Sequence, residues 1–267
     1  MIDTSERFIF VVGHCRGGST MLGAALNWHS KVCSGFKNID QFNTASDFVD
    51  KIYNGDFHTK YRTQVEQGIV WSKYLPLREH FTQNGDHRYR KNIISLTESE
   101  REKMTEELTV NCSDSNTKFM CKRPPLALQI ATVLENFPRS KIIALCRNGE
   151  EVAGSYLLHG PPALKSLPMQ QKLDRAILRW KDYLREIEPH SNKIMVVGYD
   201  SLVYNTESTL EKILKYLELP IEDYIYELNP KTTKDKWKKT IPTQFHQHLV
   251  EATSEGNTLI KKMENQL

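Results

Sequence analysis

The sequence predicts an α/β protein in which a parallel β-sheet is flanked by helices on both faces. Three observations predict it. Short apolar runs occur at 8–12, 141–146 and 193–199, amphipathic stretches of helical period lie between them, and a glycine turn joins the first run directly to a helix. Buried parallel strands read as continuous apolar runs, and strands that alternate with helices are joined by crossovers that cover both faces of the sheet.

Taken in order, Phe8 to Val12 forms the first strand, and a helix from Thr20 to Trp28 opens straight after the turn. Lys118 to Cys121 is a short strand, and PPLALQIATVLENF is a helix with proline in its first turn and Pro138 just past its end. Lys141 to Cys146 is a buried strand, followed by a helix from Glu150 to Leu158 with acidic residues in its first turn. Leu173, Ile177, Trp180, Leu184 and Ile187 mark one face of a long helix, KIMVVGY is a strand, and Leu210, Ile213, Leu214 and Leu217 mark the next helix.

The segment from about 37 to 112 breaks this rhythm. It is polar and aromatic-rich, with one legible helix start where Thr97 and Glu100 form a capping box. The chain is therefore expected to be one domain, 1–267, carrying a variable insertion at about 37–112 that reads an acceptor. Phe42 and Tyr61 exemplify residues expected to line that acceptor pocket.

Composition narrows the classes. The chain is 39% hydrophobic and 26% charged, which suits a soluble globular protein. A net charge of +3 is too small to suggest a nucleic-acid binder, although a local anion site is compatible with it. No basic region precedes a long apolar run and no stretch approaches ~18 apolar residues, so neither a signal peptide nor a membrane span is expected. Five widely spaced cysteines, an odd number, point to reduced thiols and a cytoplasmic location. His246 and His248 alternate, which is too little for a metal site, and no metal is expected.

The stretch FVVGHCRGGSTML, 10–22, carries the first functional signal. A triphosphate loop has the spacing G-x-x-x-x-G-K-[ST], and here Gly13, Gly18 and Thr20 hold three of those places while Ser19 holds that of the lysine. Backbone N–H groups of a glycine turn at a helix N-terminus attract any phosphate-like anion. Without the lysine, magnesium triphosphate is poorly served. A nucleotide whose reactive end is another anion, met by Arg16 and two hydroxyls, fits better. A second signal lies in KIIALCRNGEEVAGSYL, which puts Arg147 just past a strand and Ser155 eight residues on, inside a helix. The carboxyl end of a strand is where α/β sheets bind ligands, and arginine with a hydroxyl suits a separate phosphate.

Together these stretches resemble the sulfotransferases that use 3′-phosphoadenosine 5′-phosphosulfate (PAPS). The family's G-x-P-R-S-G-T-T-x-L loop is similar to GHCRGGSTML. Its K-x-P, helix, F-P, strand, R-D-P and distant serine follow in order in CKRPPLALQIATVLENFPRSKIIALCRNGEEVAGSY. Its Y-E-D-L looks like Tyr199-Asp200-Ser201-Leu202, and its basic C-terminal loop looks like KDKWKK. Cys15, Gly17 and Asn148-Gly149 depart from the usual proline, serine and Asp-Pro.

The resemblance implies a P-loop NTPase-like three-layer sandwich and a role for each matched residue. Arg16, Gly17, Gly18, Ser19 and Thr20 would hold the 5′-phosphosulfate, Arg147 and Ser155 the 3′-phosphate, and Lys236, Trp237 and Lys238 would close over the nucleotide. An acceptor hydroxyl or amine would attack sulfur in line, and adenosine 3′,5′-bisphosphate (PAP) would leave. Arg16, then Lys122, would stabilise the charge that grows on the leaving oxygen. The family needs no metal.

A hydroxyl acceptor also needs a general base. Asn38 falls where some members carry glutamate, which leaves Asp40 as the choice, with His14 and His58 as alternatives. The expected acceptor is a small molecule, such as a secondary metabolite; a carbohydrate is the alternative. A P-loop kinase, or a non-catalytic nucleotide-binding module, is the more distant reading.

Overall fold

The computed structural model describes residues 4–34, 42–54, 79–81, 87–89, 97, 99, 102–103, 116–160, 166–230 and 234–266. In chain order these give β1 (Phe8–Gly13), α1 (Ser19–Trp28), β2 (Val32–Cys33), α2 (Ala45–Asn54), β3 (Glu79–Phe81), β4 (His87–Tyr89), β5 (Lys118–Lys122), α3 (Ile130–Asn136), β6 (Lys141–Cys146), α4 (Gly149–His159), α5 (Met169–Ile187), β7 (Met195–Gly198), α6 (Tyr199–Tyr204), α7 (Thr206–Tyr216), α8 (Lys236–Thr240) and α9 (His246–Glu264).

Five strands form one parallel sheet in the order β2-β5-β1-β6-β7. Register places Val11 beside Lys122 and Gly13 beside Leu145. The chain crosses from β1 towards β2 on one side and from β6 to β7 on the other. The carboxyl ends of β5, β1 and β6 therefore border the crevice where the winding reverses.

Alternation along β1 builds both cores. Ile9 and Val11 join Met120, Ile143 and Leu145 against Leu22, Leu26, Phe48 and Leu210, under α1, α2 and α7. Phe8, Phe10 and Val12 join Phe119, Ile142 and Ala144 against Ile130, Trp180 and Ile260, under α3, α5 and α9. A third cluster, including Ala153, Tyr156, Leu173, Trp237 and Leu249, ties α4 to α5, α8 and α9.

The structure adjusts several expectations. Residues 124–129 are a 3-10 segment, and α3 begins only at Ile130. Gln129 leaves helical geometry at φ −144, so the expected single helix is interrupted. The aromatic-rich segment contains α2 and an antiparallel pair, β3 with β4. Phe42 packs into the core, 7% exposed and edge-on to Phe48 at 5.1 Å. Tyr61, Asp40, His58 and Asn38 lie outside the described residues, as does most of the capping-box helix near 97–100.

Cys33 is disulfide-bonded, whereas Cys15, Cys121 and Cys146 carry no disulfide. The expectation of reduced thiols fails at Cys33, and the thiol argument for a cytoplasmic location fails with it. Among the described residues no helix is long and apolar enough to cross a membrane.

Candidate active site

The loop between β1 and α1 is shaped by two glycines with positive φ, Gly13 at 133 and Gly18 at 95. A Cβ at Gly13 would overlap the Leu145 carbonyl oxygen, and one at Gly18 would overlap the Tyr199 ring. Only glycine fits these two positions. Between them the Gly17 N–H donates to the His14 carbonyl at 2.9 Å, and Arg16 also takes a left-handed conformation, φ 78. The turn delivers Ser19 and Thr20 into the first turn of α1.

The sequence-predicted residues converge around this loop. Arg16 Nε donates to Ser155 Oγ at 3.1 Å, which closes the loop against α4. Lys122, 1% exposed at the end of β5, reaches Thr20 Oγ1 at 3.5 Å. Arg147 is 6% exposed. Its Nη1 donates to the Arg16 carbonyl at 3.4 Å, and its guanidinium lies 4.3 Å from the Tyr199 ring centroid.

The basic segment docks on the same helix. Trp237 packs on Gly154, where a Cβ would lie 2.6 Å from the Trp237 Cβ, and meets His246 at 4.8 Å. Lys236 and Lys238 are exposed, and Lys238 pairs with Asp235 at 2.9 Å. His246 and His248 have other partners, the Ile241 carbonyl at 2.7 Å and Gln170 at 3.0 Å. Among the described residues no group of three acidic, histidine or cysteine side chains could hold a metal ion.

Two features escaped the sequence reading. Glu151, 8% exposed, accepts from Arg147 Nη2 at 3.1 Å and from the Asp235 N–H at 2.5 Å. It links the arginine to the basic segment. Burial raises its pKa, and the Arg147 charge opposes that rise. The signal was visible as Arg147 and Glu151 at a spacing of four. Tyr199 entered the sequence reading only as the first residue of Tyr199-Asp200-Ser201-Leu202. It lies between Gly18 and Arg147, and its buried hydroxyl has no hydrogen-bond partner among the described residues.

His14 is poorly suited to be a base. It is 4% exposed, its Nδ1 meets the Cys15 carbonyl, and its ring lies tilted against Tyr183 at 4.8 Å. Burial, and then the Arg179 charge, lower its pKa to about 3. It stays neutral, weakly basic and enclosed.

The family described as "Sulfotransferase family" matches residues 8–223. A protein-tyrosine sulfotransferase of Drosophila melanogaster is 25% identical over 182 residues, 64% of this chain and 35% of that protein. The chain thus spans about a third of the length of that relative. Sulfotransferase STF9 from Mycobacterium avium superimposes with a TM-score of 0.55 at 13% identity, covering 95% of this chain and 76% of that one. Mouse sulfotransferase SULT7A1 complexed with PAP gives 0.53 at 14% identity, covering 99% and 91%. A sulfotransferase domain from the olefin synthase of Synechococcus PCC 7002 gives 0.50 at 17% identity, covering 94% of each chain.

Proposed function

Since the chain belongs to the sulfotransferase family, we propose that it transfers a sulfuryl group from PAPS to an acceptor hydroxyl or amine and releases PAP. The observation that carries this is the Arg16–Ser155 contact of 3.1 Å. It brings the phosphosulfate loop and the 3′-phosphate pair into one cluster, so a single bisphosphate nucleotide spans both. The unpartnered Tyr199 hydroxyl offers the nucleotide one further hydrogen bond.

In this reading Ser19, Thr20 and the loop N–H groups hold the 5′-phosphosulfate. Arg16 and Lys122 meet the bridging oxygen, where negative charge grows as the S–O bond breaks. Arg147 and Ser155 hold the 3′-phosphate, and Lys236 and Lys238, anchored through Trp237, cover the nucleotide. The chain acts as one domain whose segment at about 37–112, Asp40 included, faces the acceptor.

The acceptor is a small molecule in the primary reading. A second reading, a tyrosyl hydroxyl in a protein, is favoured by the 25% identity to the protein-tyrosine sulfotransferase and by the Cys33 disulfide, which fits an oxidising compartment.

Two measurements test the proposal. PAP should raise the melting temperature, because it binds only the native state, while magnesium-ATP should do so far less. Labelled PAPS should then transfer its sulfuryl group to members of a panel of phenols, alcohols, amines, sugars and tyrosyl peptides. Equal stabilisation by magnesium-ATP, or no transfer to any acceptor class, defeats it.

A further inference from the structure

Four residues recur at a spacing of four along one edge of the site: Arg147 before α4, then Glu151, Ser155 and His159. Residues four apart on a helix lie on one face, about 5–6 Å apart at Cβ. The first three have partners already described. His159 is the last residue of the helix, one turn beyond the serine that receives Arg16. It is exposed, unlike the enclosed His14. We propose that His159 is the general base that takes the proton from the acceptor, an assignment that rests on the sulfuryl-transfer reading above.

The placement carries this. Arg16 is assigned to the sulfuryl end of the donor, and its side chain is tied to Ser155, so the next turn of α4 borders the space from which an acceptor approaches. A base must be within reach of that proton, accessible to the acceptor and unprotonated near neutral pH. Burial, and then the Arg16 charge, lower the His159 pKa, which favours the neutral imidazole. The charged group that acts on His159 is Arg16, from the loop.

The step balances without a co-reactant. The acceptor oxygen forms its bond to sulfur as its O–H proton passes to an imidazole nitrogen of His159. The bond between sulfur and the bridging oxygen breaks, its electron pair leaves with PAP, and the imidazolium later gives its proton to water.

The test separates chemistry from structure by the acidity of the acceptor. An alkyl alcohol needs a base, whereas p-nitrophenol is already substantially ionised near neutral pH and needs one far less. His159→Ala should lower single-turnover transfer to an alkyl alcohol by about 100-fold or more. Transfer to p-nitrophenol should fall by less than roughly threefold, and PAP affinity should change by less than roughly twofold, because neither relies on the base. Added imidazole should restore part of the lost rate, and His159→Gln should behave like alanine.

Equal losses for both acceptors, or no loss for either, overturn the assignment. If Asp40→Asn gives the acidity-dependent pattern and His159→Ala does not, Asp40 is the base. If the unmodified protein transfers nothing from PAPS, the function proposed above fails first.

Discussion

Replacing His14 by phenylalanine should change how stability depends on pH. In the folded protein burial and Arg179 hold the imidazole at a pKa of about 3, against an ordinary value of 6.5. The unfolded chain therefore binds a proton below pH 6.5 that the folded chain refuses until about pH 3. Stability falls as pH drops through that window, with a limiting slope of about 1.4 kcal/mol per pH unit.

Between pH 7.5 and pH 5 this one group costs about 2 kcal/mol, or roughly 4–8 °C in melting temperature for a chain of this size. Phenylalanine keeps a ring against Tyr183, 4.8 Å away in the native contact, and removes the titration. Denaturant unfolding of both proteins at a series of pH values measures the difference directly. The variant should lose about 2 kcal/mol less than the parent between those two pH values. If both lose the same amount, His14 is protonated in the folded state and its disqualification as a base falls.

Two arginines should divide binding from catalysis. Arg147→Ala removes a contact that is the same before and during transfer, so PAP affinity should fall roughly 10- to 150-fold by calorimetry, with single-turnover rate at saturation little changed. Arg16→Ala should lower that rate by about 100-fold or more with a smaller effect on PAP affinity, and the opposite pattern would reverse the two roles. Gly154→Ala should gain about 1 kcal/mol of helix propensity yet push on Trp237, so PAP should dissociate faster while the melting temperature barely moves; unchanged release in stopped flow would separate the docked segment from nucleotide retention.

The sheet was legible because its strands are buried on both faces and read as plain apolar runs. The candidate site was legible where chemistry forces residue type: glycines where φ is positive, and an arginine at the end of β6. The α9 helix was not, because its buried row of Leu249, Thr253, Gly256, Ile260 and Met263 puts small or polar residues where Trp180 needs room. The break at Gln129 was hidden, since apolar spacing continues through it. Glu151 looked like an ordinary acidic residue of a first helical turn. Its bond to the Asp235 N–H joins positions 84 apart, which no local pattern announces. The Cys33 bridge was missed because an odd count of cysteines was read as an argument about all of them.

Arg16 sits in a backbone conformation that side chains other than glycine adopt at a cost of about 1–2 kcal/mol. Glycine would relieve that strain at the same position. Any selection that rewards thermal resistance alone should therefore enrich Arg16→Gly, and the hardiest survivors of such a screen would be the ones stripped of the cation we assign to the breaking bond. Laboratory evolution of this protein needs turnover in its selection step, because at this one residue durability and chemistry pull in opposite directions.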